Sequence, residues 1–193
     1  MKIPYRFNPF GKDSLKELSY IESTGSQYIN TNVKPDFANG DSIEISFYRS
    51  PDTEANVVFG SRGANIRNGL YLIANSIICC GSEDYTTVAM DTRGERLITI
   101  NGEKIVNNGV EYSMPRQITT AFPFFLFSLN SSGTPIVYIS GTKLYYFKYF
   151  KNGVLTQHLV PRLDENDVPC SLDLVTEDKL YDAGSGSTPF IYE

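Results

Sequence analysis

Along Ser42 to Tyr48, SIEISFY, the apolar residues Ile43, Ile45 and Phe47 alternate with Ser42, Glu44 and Ser46. A period of two puts every second side chain of a strand on one face, so this run predicts a strand with one side on a core and the other in water. Leu97 to Ile100 and Glu103 to Val106 flank Asn101 and Gly102 and predict a hairpin. Further strands are expected at Val57 to Phe59, Leu70 to Ala74, Ile77 to Cys80, Tyr85 to Ala89, Phe124 to Leu129, Ile136 to Ile139, Lys143 to Phe150 and Val154 to Val160. The dipeptide Asn-Gly recurs at Asn39/Gly40, Asn68/Gly69, Asn101/Gly102, Asn108/Gly109 and Asn152/Gly153. Both residues tolerate positive φ, so each pair can supply the primed turn that joins antiparallel strands. No window of helical length shows a 3.6-residue period. Short strands with turn signals between them predict an all-β fold, two antiparallel sheets packed as a sandwich or jelly roll.

The size of 193 residues fits one such domain with a short appendage, and 41% hydrophobic with 20% charged residues is the balance of a folded globule. The net charge of -5 comes with scattered Lys and Arg. Without a basic stripe there is no surface to release counterions from a phosphate backbone, so nucleic acid is not an expected partner. No stretch approaches the apolar length of a membrane span, and Met1 to Phe10 carries no apolar run of signal-peptide length. The expectation is a soluble protein made in a cytoplasm, without membrane insertion. Cys79, Cys80 and Cys170 are too few for a disulfide framework and are read as reduced thiols. Neighbours in a strand point to opposite faces, so Cys79 and Cys80 do not make a zinc site.

Met1 to Ser14, MKIPYRFNPFGKDS, has two prolines and three aromatics but no alternation, and it divides the chain into an arm, 1–14, and a β-domain, 15–193. Such a terminus either lies across its own domain or docks elsewhere. In the second case Tyr5, Arg6, Phe7 and Phe10 are the anchors, since aromatic and arginine side chains carry a large share of interface energy.

The chemistry-bearing residues point away from catalysis. His158 is the single histidine, which excludes a multi-histidine metal site, and no motif positions a serine for a nucleophilic triad. Glycoside hydrolysis wants two converging carboxylates; Glu44 has no acidic partner at residue 42 or 46, and Glu83 and Asp84 point to opposite faces of a strand. No enzyme is expected. No cofactor is required, with calcium left open at the oxygen-rich loop of Asp164, Glu165, Asn166 and Asp167, with Asp173 beyond it. In Ser61 to Asn68 and the strand that follows, Arg62, Arg67 and Tyr71 are ligand-binding candidates of the type found in loops at sandwich ends. Phe122, Phe124, Phe125 and Phe127 are expected in the core. Tyr145, Tyr146, Phe147, Tyr149 and Phe150 occupy both faces of one strand, which means burial between layers or a face kept for a subunit contact.

Leu18 to Pro35, LSYIESTGSQYINTNVKP, resembles the opening of laminin-G-like or concanavalin-like domains common in bacteriophage virion proteins and bacterial surface proteins. The matching parts are a strand ending at Tyr20 to Ser23, a turn at Thr24 and Gly25, and a strand at Gln27 to Ile29. Lys143 to Pro161 resembles the family's penultimate hairpin and Leu172 to Phe190 its closing region. The chain departs from the family around Leu172 to Leu174 and at Asp182, where the family usually has Asn. The resemblance implies a concanavalin-like jelly roll, and fold alone does not settle activity. It further implies a non-enzymatic virion structural protein, a head or tail decoration or fibre component. That protein would be held by its arm to other virion proteins, assembled as a homo-oligomer in the host cytoplasm, and would display a domain for host-surface glycans. The alternative implied function is a free-standing carbohydrate-binding lectin of a bacterium.

Overall fold

A computed structural model describes residues 15–50, 57–63, 69–73, 76–80, 85–114, 119–138, 140–184 and 188–193, with backbone only over 69–73, 76–80, 85–87, 137–138 and 140. The strands follow in chain order as β1 (Ile21–Thr24), β2 (Ile29–Asn30), β3 (Ser42–Arg49), β4 (Val57–Arg62), β5 (Gly69–Ile73), β6 (Ser76–Cys80), β7 (Tyr85–Ala89), β8 (Gly94–Ile100) and β9 (Lys104–Asn107). The second half supplies β10 (Val110–Ser113), β11 (Phe125–Leu126), β12 (Ser128–Ser131), β13 (Thr134–Tyr138), β14 (Ser140–Lys151), β15 (Val154–Leu163), β16 (Pro169–Asp173), β17 (Lys179–Leu180) and β18 (Ile191–Tyr192). The one helical element among the described residues is a 3-10 turn, Phe37–Asn39.

Two sheets pack as a jelly-roll sandwich. One runs β10-β9-β8-β3-β14-β15-β16-β17, with β1 against β14 and β18 against β1; the other runs β13-β12-β4-β5-β6-β7, with β11 bridging β2 and β4. The expected alternation of β3 holds: Ile43, Ile45 and Phe47 are fully buried while Ser42, Glu44 and Ser46 are half-buried on the opposite face. Beside them on the same sheet face are Ile98 and Ile100 of β8, Phe147 of β14 and Leu159 of β15, and Phe59, Phe124 and Phe127 complete the core from the second sheet side. Each such side chain contributes about 1.5–3 kcal/mol through removal from water.

The aromatic run of β14 is resolved by a bulge. Leu144 pairs with Phe47 and Tyr146 with Ser46, so Tyr145 is the extra residue. An extra residue changes the phase of the strand. Leu144, Phe147 and Tyr149 therefore all point inward, while Tyr145, Tyr146 and Lys148 are half-buried on the outer face.

Several local features depart from expectation. The predicted strand Phe124 to Leu129 is broken at Phe127, whose φ of 66° lies in the left-handed region. The chain reverses there: β11 is antiparallel to β4 but β12 is parallel to it, a local parallel pairing within the antiparallel-rich sandwich. A buried aromatic at positive φ is strained, and burial of its ring against Phe190 at 5.4 Å offsets that strain. Among the Asn-Gly pairs, Asn108/Gly109 and Asn152/Gly153 have positive φ at both residues and make the expected hairpin turns. Asn101/Gly102 has neither; its turn is closed by Asn101 Oδ1 accepting the N–H groups of Glu103 and Lys104, both at 2.9 Å. Gly40 ends the 3-10 turn rather than a hairpin. Asn68 lies outside the described residues.

The two terminal segments meet in space. Gln27 is fully buried; its Nε2 donates to Thr24 Oγ1 at 2.7 Å and to the carbonyls of Thr188 and Pro189, and its Oε1 accepts from Thr24 N at 2.9 Å and Ser23 Oγ at 3.2 Å. Asp182 Oδ1 accepts from Tyr28 N at 3.0 Å and Gly184 N at 2.8 Å, and Ala183 N donates to Tyr28 O at 2.9 Å. The carboxylate oxygen of Asp182 thus fills an acceptor role that an asparagine oxygen also offers. Gly184 sits so close to Ser26 that a Cβ would lie 2.3 Å from its carbonyl oxygen. The residues that carry the sequence resemblance are therefore a latch between the chain's two ends.

Candidate functional site

The inward-facing phase of β15 runs Gln157, Leu159, Pro161, Leu163, and its first member is polar. Its partner on β14, Tyr149, carries a hydroxyl, and Asp173 on β16 pairs with the next inward residue, Leu159; both are buried. The sandwich interior therefore changes from hydrocarbon to hydroxyl, amide and carboxylate at this end, and a cleft of about 450 Å³ opens there. Thr31 and Asn32 form one wall, Thr176, Asp178 and Lys179 another, Gln157 and Asp173 lie between them, and Val33 and Leu180 add apolar surface.

Each wall is held by its own bonds. Tyr149 Oη donates to Asp41 Oδ2 at 2.5 Å, while Asp41 also accepts from Asp36 N at 2.8 Å and Asn152 N at 3.3 Å, tying the β14–β15 turn to the loop before β3. Burial pushes the Tyr149 phenol well above its ordinary value, with the Asp41 carboxylate adding to the shift. Asp173 is 2% exposed. Its Oδ1 accepts from His158 N at 2.9 Å and Val175 N at 3.0 Å, and its Oδ2 accepts from Thr176 Oγ1 at 3.2 Å. The same hydroxyl lies 2.8 Å from Asp178 Oδ2, so two carboxylates share it. Lys179, the cation of the lining, is engaged by Glu165. Gln157 donates through Nε2 to Thr31 O at 3.0 Å, which fixes its amide orientation and leaves Oε1 buried with no donor. A buried acceptor without a donor costs about 1–3 kcal/mol.

The sequence-derived candidates fall elsewhere. Asp164 does not reach out to a cation: Oδ1 accepts from Asn166 N at 2.8 Å and Val168 N at 2.9 Å, and Oδ2 from Tyr181 Oη at 2.9 Å. These bonds, the one from Val168 first, hold its carboxyl below the ordinary carboxylate value. Asp164 closes the β15–β16 turn around Asn166 and Asp167, and among the described residues no group of three His, Cys, Asp or Glu is placed to hold a metal. The Asp164 carboxylate, one of the three calcium candidates with Asn166 and Asp167, is thus engaged within its own turn. Arg62 is half-buried on β4, with Nε donating to Ser131 Oγ at 3.3 Å, on the sheet opposite β15. Tyr71 lies on β5 beside β4, its side chain outside the described residues, as are Arg67 and the arm residues Tyr5, Arg6, Phe7 and Phe10. Cys79 and Cys80 are consecutive residues of β6, again without described side chains. Cys170 is fully buried, and burial pushes its thiol up to about 11, which leaves it unreactive.

Of the cleft residues, Asp173 and Tyr149 were singled out from the sequence for other reasons, and Thr31, Asn32, Gln157, Thr176 and Asp178 were not. The available signal was polarity in a core-facing register: Gln157 two residues before Leu159, and Asp173 where the chain departs from the family pattern.

On the outer face of the same sheet, His158 packs edge-on to Tyr146 at 6.0 Å, and Lys148 lies 4.6 Å over the Tyr146 ring while bonding Glu44 at 2.7 Å. Burial, then the nearby Lys148 ammonium, pushes the His158 imidazole below its ordinary value; Asp173 and Glu44 oppose the shift and Arg162 adds to it. The unfolded chain therefore takes up this proton before the folded one does. The resulting stability is fully present above about pH 6.5 and is lost as pH falls from there through the folded-state value. The urea midpoint is expected to drop between pH 7 and pH 5, and H158Q should remove part of that drop. An unchanged slope in H158Q would refute the assignment. Acids held below their ordinary values, such as Asp36 and Asp91, act in a separate window nearer pH 4 and below.

No protein-family model matches this chain, and no curated protein matches it in sequence.

Proposed function

We propose that the chain is a non-enzymatic, lectin-like β-sandwich of the laminin-G-like or concanavalin-like kind, which binds host-surface glycans in the end cleft and is carried on a bacteriophage particle through its arm. The observation that carries the binding reading is the polar turn taken by the sandwich interior: Gln157, Thr31, Asn32, Thr176 and Asp178 line an open cleft with amide, hydroxyl and carboxylate groups, beside Val33 and Leu180. Sugars present the matching surface, a rim of hydroxyls around apolar C–H faces, and such sites are few polar groups set in a concave wall.

Binding rather than turnover is favoured because Asp173 already accepts two backbone N–H groups and a hydroxyl, which makes it a structural anchor of the β16–β17 turn. A carboxylate so committed is poorly placed to hand a proton to a leaving group. The virion setting is supported by the resemblance of Leu18 to Pro35 and of the closing segments, whose residues form the latch. A free-standing bacterial lectin is the second reading, favoured by a cleft whose described lining residues all lie within the β-domain, between Thr31 and Leu180.

A glycan array probed with the full chain and with Gln157→Ala tests the binding reading. Selective binding that falls at least tenfold in the variant is expected; no binding by the full chain would reject the reading. Deleting residues 1–14 separates the two settings. Loss of incorporation into particles with the domain still folded is the expected outcome, and unchanged incorporation would reject the anchor.

A further inference from the structure

We infer that the end cleft selects neutral or amine-bearing sugars and rejects sugar acids; the inference rests on the glycan-binding reading above and names the ligand class of the same site. The argument is a balance of donors, acceptors and charge. Asp173 and Asp178 bring two carboxylates to the lining, joined through the Thr176 hydroxyl at 3.2 and 2.8 Å. The cation among the described lining residues, Lys179, is turned to Glu165 outside the lining and neutralised there. The cleft thus keeps a negative field, and the walls between which a ligand enters are of low dielectric, where that field is strongest.

Gln157 supplies a second and independent observation. It is 9% exposed, lies in the cleft lining, and its Oε1 has no donor, while its Nε2 is held by Thr31 O at 3.0 Å. A buried acceptor in this state is satisfied by a ligand that brings an O–H or N–H, and not by one that brings another oxygen anion. Sugar hydroxyls and ammonium groups are such donors. A uronic or sialic acid brings a carboxylate into the same space as Asp173 and Asp178 and leaves all three charges unpaired. Val33 and Leu180 on the lining accept the C–H face that neutral and amino sugars share.

The test uses the full chain and glycans in matched pairs that differ in charge: oligogalacturonate with its methyl ester, and sialylated with unsialylated galactosides. Binding is measured by titration calorimetry at low and at high salt. Where a pair is bound at all, the acid member is expected to be at least roughly tenfold weaker at low salt, with the gap narrowing as salt screens the carboxylates. Asp178→Asn should narrow it as well, because the acid member gains affinity relative to its neutral partner. An acid member that binds as tightly as its neutral partner, or a gap indifferent to both salt and Asp178→Asn, would overturn the charge selection and leave glycan binding standing. Absence of binding to every glycan would overturn both.

Discussion

Replacing Gln27 by leucine is expected to cost about 3 kcal/mol or more of folding stability, because a volume-conserving apolar side chain leaves a set of buried backbone groups without partners. Gln27 joins the turn after β1 to the segment before β18: Thr24 N and Ser26 N donate to its Oε1, and its Nε2 reaches Thr188 and Pro189 from a fully buried position. At about 2–4 °C per kcal/mol for a chain of this size, the melting temperature should fall by roughly 6–12 °C. The neighbouring contacts share the load, so the effect should be cooperative with Asp182→Ala, which removes the acceptor of Tyr28 N and Gly184 N. A loss below about 1 kcal/mol for Q27L would show that the two ends of the chain are not latched through this side chain.

Phe147→Ala is the second large effect, expected at about 3–5 kcal/mol. Phe147 is fully buried at the centre of β14, paired with Ile45 of β3 on one side and Leu159 of β15 on the other. Its ring faces the second sheet, and alanine leaves a cavity that neighbours on two strands cannot close without moving the ladder. Tyr146→Ala is the informative comparison. Tyr146 is adjacent in sequence but lies on the outer face against Lys148 and His158, so its loss should cost clearly less. Equal losses in urea denaturation would mean that the bulge at Tyr145 is misplaced and that the strand presents a different face.

Much of the fold was legible because a strand's face assignment is a local property. The alternation in Ser42 to Tyr48 needs no knowledge of the partner strand, and Ile43, Ile45 and Phe47 lie on the buried face that it predicts. Asn152 and Gly153 also act locally, since both adopt the positive φ that their residue types permit. Asn101 and Gly102 show the limit of that logic: the same dipeptide closes its turn through the Asn101 side chain instead, because more than one turn geometry fits the pair. Cleft residues were harder to see. Gln157 and Asp178 are distant in sequence, are ordinary in type, and acquire a shared role only when β15 and the β16–β17 turn lie side by side.

The sequence by itself determined that the chain is all-β, where most strands run and which face of β3 is buried. These follow from short-range alternation, turn chemistry and composition. Tertiary structure alone decided the rest: the reversal at Phe127 that makes β12 run parallel to β4, the bulge that lets Leu144, Phe147 and Tyr149 share a face, and the closure of Asp164 on its own turn. It also decided that the terminal motifs are a latch and that a polar cleft opens at one end of the core. The physical reason is common to all of these. Each depends on which long-range neighbour satisfies a backbone or side-chain group, and that neighbour is chosen by the packing of the whole sandwich rather than by the residues beside it in the chain.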